Sequence, residues 1–464
     1  MYNPSINLLN RNPSMIFKIV SVLFVICAIQ LFDEGYVLGE QKLSVSNYRS
    51  IQQALDTNPG KMIYLPGGDY EISAKIKIRS SQSGLYGAGR IIQTNSTAPI
   101  IEIEAASGVQ LRGIKLQRAE GKMKTKAEAV LAINCKNLDL DHLQIYDNRT
   151  RSGAIAVRNC EGGRITNCLI QNYMQITVDD RTGSSDWGYA FNCIDGSGIV
   201  VTESQSVLIQ GNRIIESRLL PTPEIQKEFD LGKIIKRNPV KGTIISEQTW
   251  NRDYVSNWHQ GSAIIVSSPE STGRVQILGN NIENAAQGID IHADHVVVSQ
   301  NIVNNAFVGM KAMHGSRHVI IIGNQFIKND LWSIGLMPGA ASHAASAGKD
   351  GKTSKNSNID GGSIIANNII SDFGYGHAHW IWKDNGSPIK LDAGQKPTNP
   401  PLKDVIIQGN IVYNSGCDEL KASSNNRPRY RFAIVVASEV EGLHFSNNIL
   451  HPGHEGISNI SIKP

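Results

Sequence analysis

Three stretches decide the fold: Gly273-Arg-Val-Gln-Ile-Leu-Gly-Asn-Asn-Ile-Glu-Asn284, His295-Val-Val-Val-Ser-Gln-Asn-Ile-Val-Asn304 and His318-Val-Ile-Ile-Ile-Gly-Asn-Gln-Phe-Ile327. Each carries one pattern, apolar-x-x-Asn-x-apolar, as Ile277/Asn280/Ile282, Val298/Asn301/Val303 and Ile321/Asn324/Phe326. The frame returns at Ile209/Asn212/Ile214, Ile365/Asn368/Ile370, Ile407/Asn410/Val412 and Phe445/Asn448/Leu450. Upstream, Ile165/Cys168/Ile170, Leu140/Leu143/Ile145 and Leu111/Ile114/Leu116 keep it without the asparagine. Successive central positions lie 29, 25, 44, 68, 21, 23, 44, 42 and 38 residues apart, so the shortest steps define a unit of 21 to 25.

A second short strand stands in each step: Val130/Ala132, Ile155/Val157, Ile199/Val201, Ile264/Val266, Ile289/Ile291, Met310/Ala312, Ile334/Leu336, Trp380/Trp382 and Ile434/Val436. Alternate residues of such strands point one way, and a unit this short cannot bury that face alone. Stacking the units solves the problem. The reading is an all-β, right-handed parallel β-helix of about ten coils. Asparagine suits the ladder because its amide can bond to the asparagine one coil away while satisfying a sharp bend. A Leu-x-x-Leu-x-Leu signature is absent, and adjacent steps of 21 and 23 are too short for propeller blades.

Composition agrees. The chain has 464 residues, 41% apolar but only 6% aromatic, as expected where Ile, Val and Ala fill a narrow interior. A net charge of +4 gives no argument for nucleic acid. Residues Ile19 to Phe32 form an uncharged run of 14, preceded by Arg11 and Lys18, short for a span and right for a signal segment ending near Gly39. The remainder, 40–464, is expected to be one β-helix domain, secreted, periplasmic or on the cell surface, with no stable membrane insertion after signal removal. Of the five cysteines beyond residue 39, Cys135 and Cys160 lie 25 apart in like contexts. Stacked on neighbouring coils they are close enough for a disulfide or for two buried thiols.

Ser50-Ile-Gln-Gln-Ala-Leu55, Ile63-Tyr-Leu-Pro-Gly-Gly-Asp-Tyr70 and Leu85-Tyr-Gly-Ala-Gly89 resemble the opening segment of the pectate-lyase-like superfamily, with its rhamnogalacturonase and epimerase-like members. The resemblance implies an amphipathic helix capping the barrel within 44–90, and activity on polysaccharide. Asn47 is the expected N-cap, with Ile51 and Leu55 at i, i+4.

Insertions at 171–196, 217–260 and 415–431 precede the second strand, and those at 338–362 and 384–403 follow it, so they are expected to wall a groove along it. Residues 338–362 read as a mobile flap or disordered excursion, and 222–236 as a helix. The outward residue of the second strand runs Leu131, Ala156, Val200, Ile265, Asp290, Lys311, Gly335, Ile381, Val435. Two charges on adjacent coils interrupt an apolar or small column. The next outward column brings His292 beside Asp290 and includes Arg158 and Lys383 as substrate contacts; His314 and His259 reach the same place. Lys311 or His292 is expected to act as base or carboxylate neutraliser, with Asp290 orienting them. The resemblance implies lyase or epimerase chemistry on an acidic polysaccharide, with a non-catalytic carbohydrate-binding solenoid as the rival.

Trp380 and Trp382 fill the core in this register, or form sugar-stacking platforms after a one-residue slip. His295 and His318 read as turn-filling residues at another corner. No cofactor is demanded, though Asp179 and Asp180 could hold calcium. Gly-His-Gly and Arg-Ile-Lys signatures of polygalacturonase-type hydrolases are absent, so a hydrolase would need a new acid pair, Asp290 with Asp195 or Asp330. Oligomeric state is left open.

Overall fold

Each coil is built from three short strands, and each kind of strand stacks into its own 12-stranded parallel sheet. One coil runs through Gly273–Leu278 in sheet A, Asn281–Glu283 in sheet B and Gln287–Ile291 in sheet C. The next repeats the order with Asp294–Ser299, Ile302–Asn304 and Val308–Met313, and the next with Arg317–Ile322, Gln325–Ile327 and Trp332–Met337. The architecture is the right-handed parallel β-helix. The computed structural model describes residues 42–462 except 180–188, 221, 232–233, 238–260, 348–353, 378–385, 395 and 415–427. The signal segment lies outside them. Ser44–Pro464 form one compact unit.

Twelve rungs exceed the ten expected because the first two fall within residues 62–104, which lack the ladder motif. Inward positions alternate as the strand period requires: Ile289, Ile291, Val296, Val298 and Val303 are fully buried. Each such burial is worth about 1.5–3 kcal/mol.

The asparagine ladder is realised at the A-to-B bend. Asn280 donates its backbone N–H and its amide Nδ2 to Asn301 Oδ1, both 2.9 Å, and Asn301 does the same to Asn324 Oδ1 at 2.9 and 3.0 Å. The chain of amides continues through Asn368 and Asn410 to Asn448, and downward through Asn212 to the Cys168 N–H. The residue preceding each ladder asparagine occupies the left-handed region, for example Gln300 at φ 57° and Asn447 at φ 54°.

Ile51–Thr57 is the capping helix, with Ile51, Ala54 and Leu55 buried. Its N-cap is Ser50 rather than Asn47: Ser50 Oγ accepts the Gln53 N–H at 3.1 Å, while Asn47 ends a preceding 3-10 turn, Val45–Asn47. Gln52 bridges to the first strand of sheet C through the N–H and carbonyl of Lys77, at 2.7 and 3.0 Å, covering the open sheet end.

Cys135 and Cys160 stack as anticipated, and both are free buried thiols, the Cys135 N–H pointing at Cys160 Sγ at 3.2 Å. The first two long insertions meet in an antiparallel sheet of Gln175–Asp179, Tyr189–Asp195 and Ile234–Arg237; the helix in 222–236 is only Pro223–Glu228. Among the described residues, no helix is long and apolar enough to cross a membrane.

Candidate active site on the outer face of sheet C

Parallel pairing fixes which outward residues meet. Ile265, Asp290, Lys311 and Gly335 occupy one column on successive coils. One expectation fails above Gly335. The strand paired with Trp332–Met337 is Ser387–Leu391, with Ile389 beside Ile334 and Lys390 beside Gly335. The inward pair of this coil is Ile389/Leu391 rather than Trp380/Trp382, so Lys390 replaces Ile381 and Asp392 replaces Lys383 in the outward columns. Trp380, Trp382, Lys383 and His259 lie outside the described residues.

Asp290 is the centre of the cluster, with its side chain 6% exposed. Its Oδ2 lies 3.4 Å from Lys311 Nζ, and its Oδ1 lies 2.9 Å from His292 Nε2 without the alignment of a hydrogen bond. Burial pushes the carboxyl upward, but the electrostatic pull of the neighbouring His292 and Lys311 outweighs it and holds Asp290 well below the ordinary carboxylate range. On its other side His292 Nδ1 faces Ser267 Oγ at 3.3 Å. His314 stands edge-on to His292, with ring centroids 4.4 Å apart.

His314 is held from outside. Its Nδ1 accepts the Ala341 N–H at 3.4 Å, and the flap lies so close that a Cβ on Gly339 would fall 2.2 Å from that nitrogen. The base of this flap is tied down by hydrogen bonds. Asn358 Nδ2 bonds to the carbonyls of His314 and Ala341, and Asn399 Nδ2 to those of Gly339 and Ser342. Beneath, Asp360 Oδ1 accepts the N–H groups of Gly315 and Ser316, and its Oδ2 accepts the Ser342 hydroxyl. Burial pushes Asp360 up to about 6 against these bonds.

Sequence reading missed the next feature. The Trp332 ring lies over Gly335, where a Cβ would sit 2.6 Å from its Cε3, and Lys390 Nζ stands 5.5 Å from the ring centroid. Lys390 in turn pairs with Asp392 at 2.9 Å. The floor of the site therefore runs Asp290, Lys311, a partly exposed indole, Lys390. The signal was Ser-Pro-Ile-Lys-Leu-Asp (387–392), whose aliphatic alternation matches Ile334/Leu336 better than two tryptophans do.

Other expected residues stand elsewhere. Arg158 is three rungs from Asp290 and bound to Glu128 at 2.5 Å. Asp195 pairs with Arg151 at 2.8 Å, and Asp330, pushed up to about 8 by burial, sits at a B-to-C corner; neither is on the sheet C face with Asp290. Asp179 ends a strand of the small sheet, and Asp180 lies outside the described residues.

A family model described as rhamnogalacturonase A/epimerase, pectate lyase-like matches residues 45–290, more than half of the chain. The protein belongs to this family. No curated protein matches the sequence. Among solved structures, the rhamnogalacturonase A/epimerase-like chain is similar to the Dettilon tailspike protein, at 13% identity and TM-score 0.52, over 88% of this chain and 63% of that one. It thus spans less than two thirds of the tailspike's length. It is also similar to the Agl-KA catalytic domain, at 12% identity and TM-score 0.51, covering 92% of this chain and 69% of that one. At such identities the likeness shows the shared fold.

Proposed function

We propose that this protein is a secreted or surface-exposed enzyme that abstracts the C5 proton of a uronate in an acidic polysaccharide, as a lyase or an epimerase. The observation that carries the reading is the buried Asp290 carboxylate shared by His292 and Lys311 on the outer face of sheet C. A uronate C5–H becomes removable once the adjacent carboxylate is neutralised, and Lys311, 18% exposed, supplies that charge. Asp290 beside Nε2 of His292 favours the tautomer with its proton there, which leaves the Nδ1 lone pair as base once substrate displaces the Ser267 hydroxyl. His314, edge-on to His292, is placed to return a proton.

Loss of the C4 substituent from the resulting carbanion gives an unsaturated product; return of the proton to the opposite face gives the epimer. Incubation with a panel of uronate polymers separates these outcomes. Ultraviolet absorbance of unsaturated ends marks a lyase, and proton exchange at C5 seen by NMR marks an epimerase. Reducing ends without absorbance mark a hydrolase and sink the proposal. The second reading, a carbohydrate-binding solenoid, is favoured by the Trp332 ring between Lys311 and Lys390, and predicts binding without turnover.

A further inference from the structure

On nine successive coils the second residue of the sheet A strand, just past the corner from sheet C, adopts the left-handed conformation. On successive coils these are Asn137, Gly162, Ser206, Arg274, His295, His318, Gly362, Asp404 and Gly442. Most are types that tolerate this conformation cheaply. Imidazoles on two consecutive coils break the pattern.

The two rings stack with centroids 4.3 Å apart at 29°, and both aim Nδ1 at one oxygen. Asp294 Oδ1 lies 2.7 Å from His318 Nδ1 and 3.0 Å from His295 Nδ1, and the three atoms all fall within 4.8 Å of one another. Arg317 binds the other oxygen, Asp294 Oδ2, at 3.1 Å, which fixes the carboxylate and turns Oδ1 to the imidazoles. The side chains of His295 and His318 are 61% and 52% exposed, so an ion can enter from solvent.

We propose that Asp294 Oδ1, His295 Nδ1 and His318 Nδ1 form a binding site for a divalent transition-metal ion of the Zn2+, Cu2+ and Ni2+ class, with water completing the coordination. Ligands about 2 Å from such an ion lie about 3 Å from one another, close to the two nitrogen–oxygen separations here. Two imidazoles and one carboxylate oxygen suit these borderline metals and not Ca2+ or Mg2+, which require oxygen-rich shells. The site lies on the sheet A side of the C-to-A corner, apart from the Asp290 column on the outer face of sheet C, and takes no part in the reaction proposed above.

The test is titration of the purified chain with Zn2+ against a chromophoric chelator, and with Cu2+ followed by electron paramagnetic resonance. One ion per chain and nitrogen hyperfine structure from two imidazoles are expected. His295→Asn and His318→Asn, which retain a residue suited to the left-handed turn, should each weaken Zn2+ binding at least about tenfold. His142→Asn is the control, since His142 is another left-handed histidine beside an aspartate but without a second ring. Its affinity should equal the wild type's. If the wild-type chain takes up no Zn2+, or the His295→Asn/His318→Asn double variant binds as tightly as wild type, the proposal falls. Should a histidine variant unfold, Asp294→Asn with both rings intact gives the same readout.

Discussion

Asp290 and Lys311 occupy the same outward position on adjacent coils of sheet C, and their Oδ2–Nζ separation of 3.4 Å ties the two coils together at the proposed reacting centre. Because Asp290 is 4% exposed and also lies against His292, it is the residue on which both charge balance and imidazole orientation depend.

Asp290→Asn should lower turnover on a uronate polymer by about a hundredfold or more, with KM changed far less, since it removes orientation and not the substrate's cationic contact. It should also cost about 3 kcal/mol by leaving Lys311 without its buried partner. In the wild type the carboxyl is held below its unfolded value. This stabilisation is present above the ordinary carboxylate pKa and is lost as pH falls below it. Denaturant unfolding of both proteins across acid pH checks the sign.

Asp360 has the opposite linkage. Its folded carboxyl is raised to about 6 from 3.8, so the folded state holds the proton more tightly. The resulting stabilisation is complete below the unfolded pKa and disappears as pH climbs through about 6, a change of roughly 2–3 kcal/mol. Wild type should therefore lose stability relative to Asp360→Asn between about pH 4 and pH 7. Equal pH profiles for the two would contradict this.

Asn301→Ala strands the Asn280 N–H, takes from the Asn280 amide one of its two acceptors, and removes the Nδ2 bond to the Ile277 carbonyl. A loss of about 3 kcal/mol or more follows from several unsatisfied buried groups. Asn448→Ala, at the last rung, breaks the equivalent bonds to Asn410 and the Ile407 carbonyl, but Asn448 is only half-buried, so water can replace them and the cost should be less. Chemical denaturation of the two variants measures the difference.

Gly335→Ala places a methyl group against the Trp332 ring and should displace it, at a stability cost of about 1–3 kcal/mol. If the indole is a sugar platform, oligosaccharide quenching of tryptophan fluorescence should weaken in parallel with Trp332→Ala. Unchanged quenching in both variants removes the platform from the site.

The sequence located Asp290, Lys311, His292 and His314 together because four consecutive coils there, Ser262–Ser267 through Trp332–Met337, carry regular strands whose alternation is unambiguous. It failed at Trp380-Ile381-Trp382 because a three-residue alternation has many matches inside a long insertion, and pairing with Ile334 and Leu336 selects Ile389 and Leu391 instead. Asp294 joining His295 and His318 was also hidden, since the histidines read only as turn-filling residues and the carboxylate between them depends on a corner's backbone path.

What the sequence by itself determined was the coil: a repeat of 21 to 25 residues, its inward aliphatic positions and its asparagine bend. These are local properties, repeated enough times that each copy confirms the others. Tertiary structure decided which outward residues of different coils become neighbours, such as Trp332 with Lys390, and how the flap at Gly339 closes on His314. Steps between coils vary from 21 to 68 residues, so only the hydrogen-bonded register of stacked parallel strands fixes what lies above what.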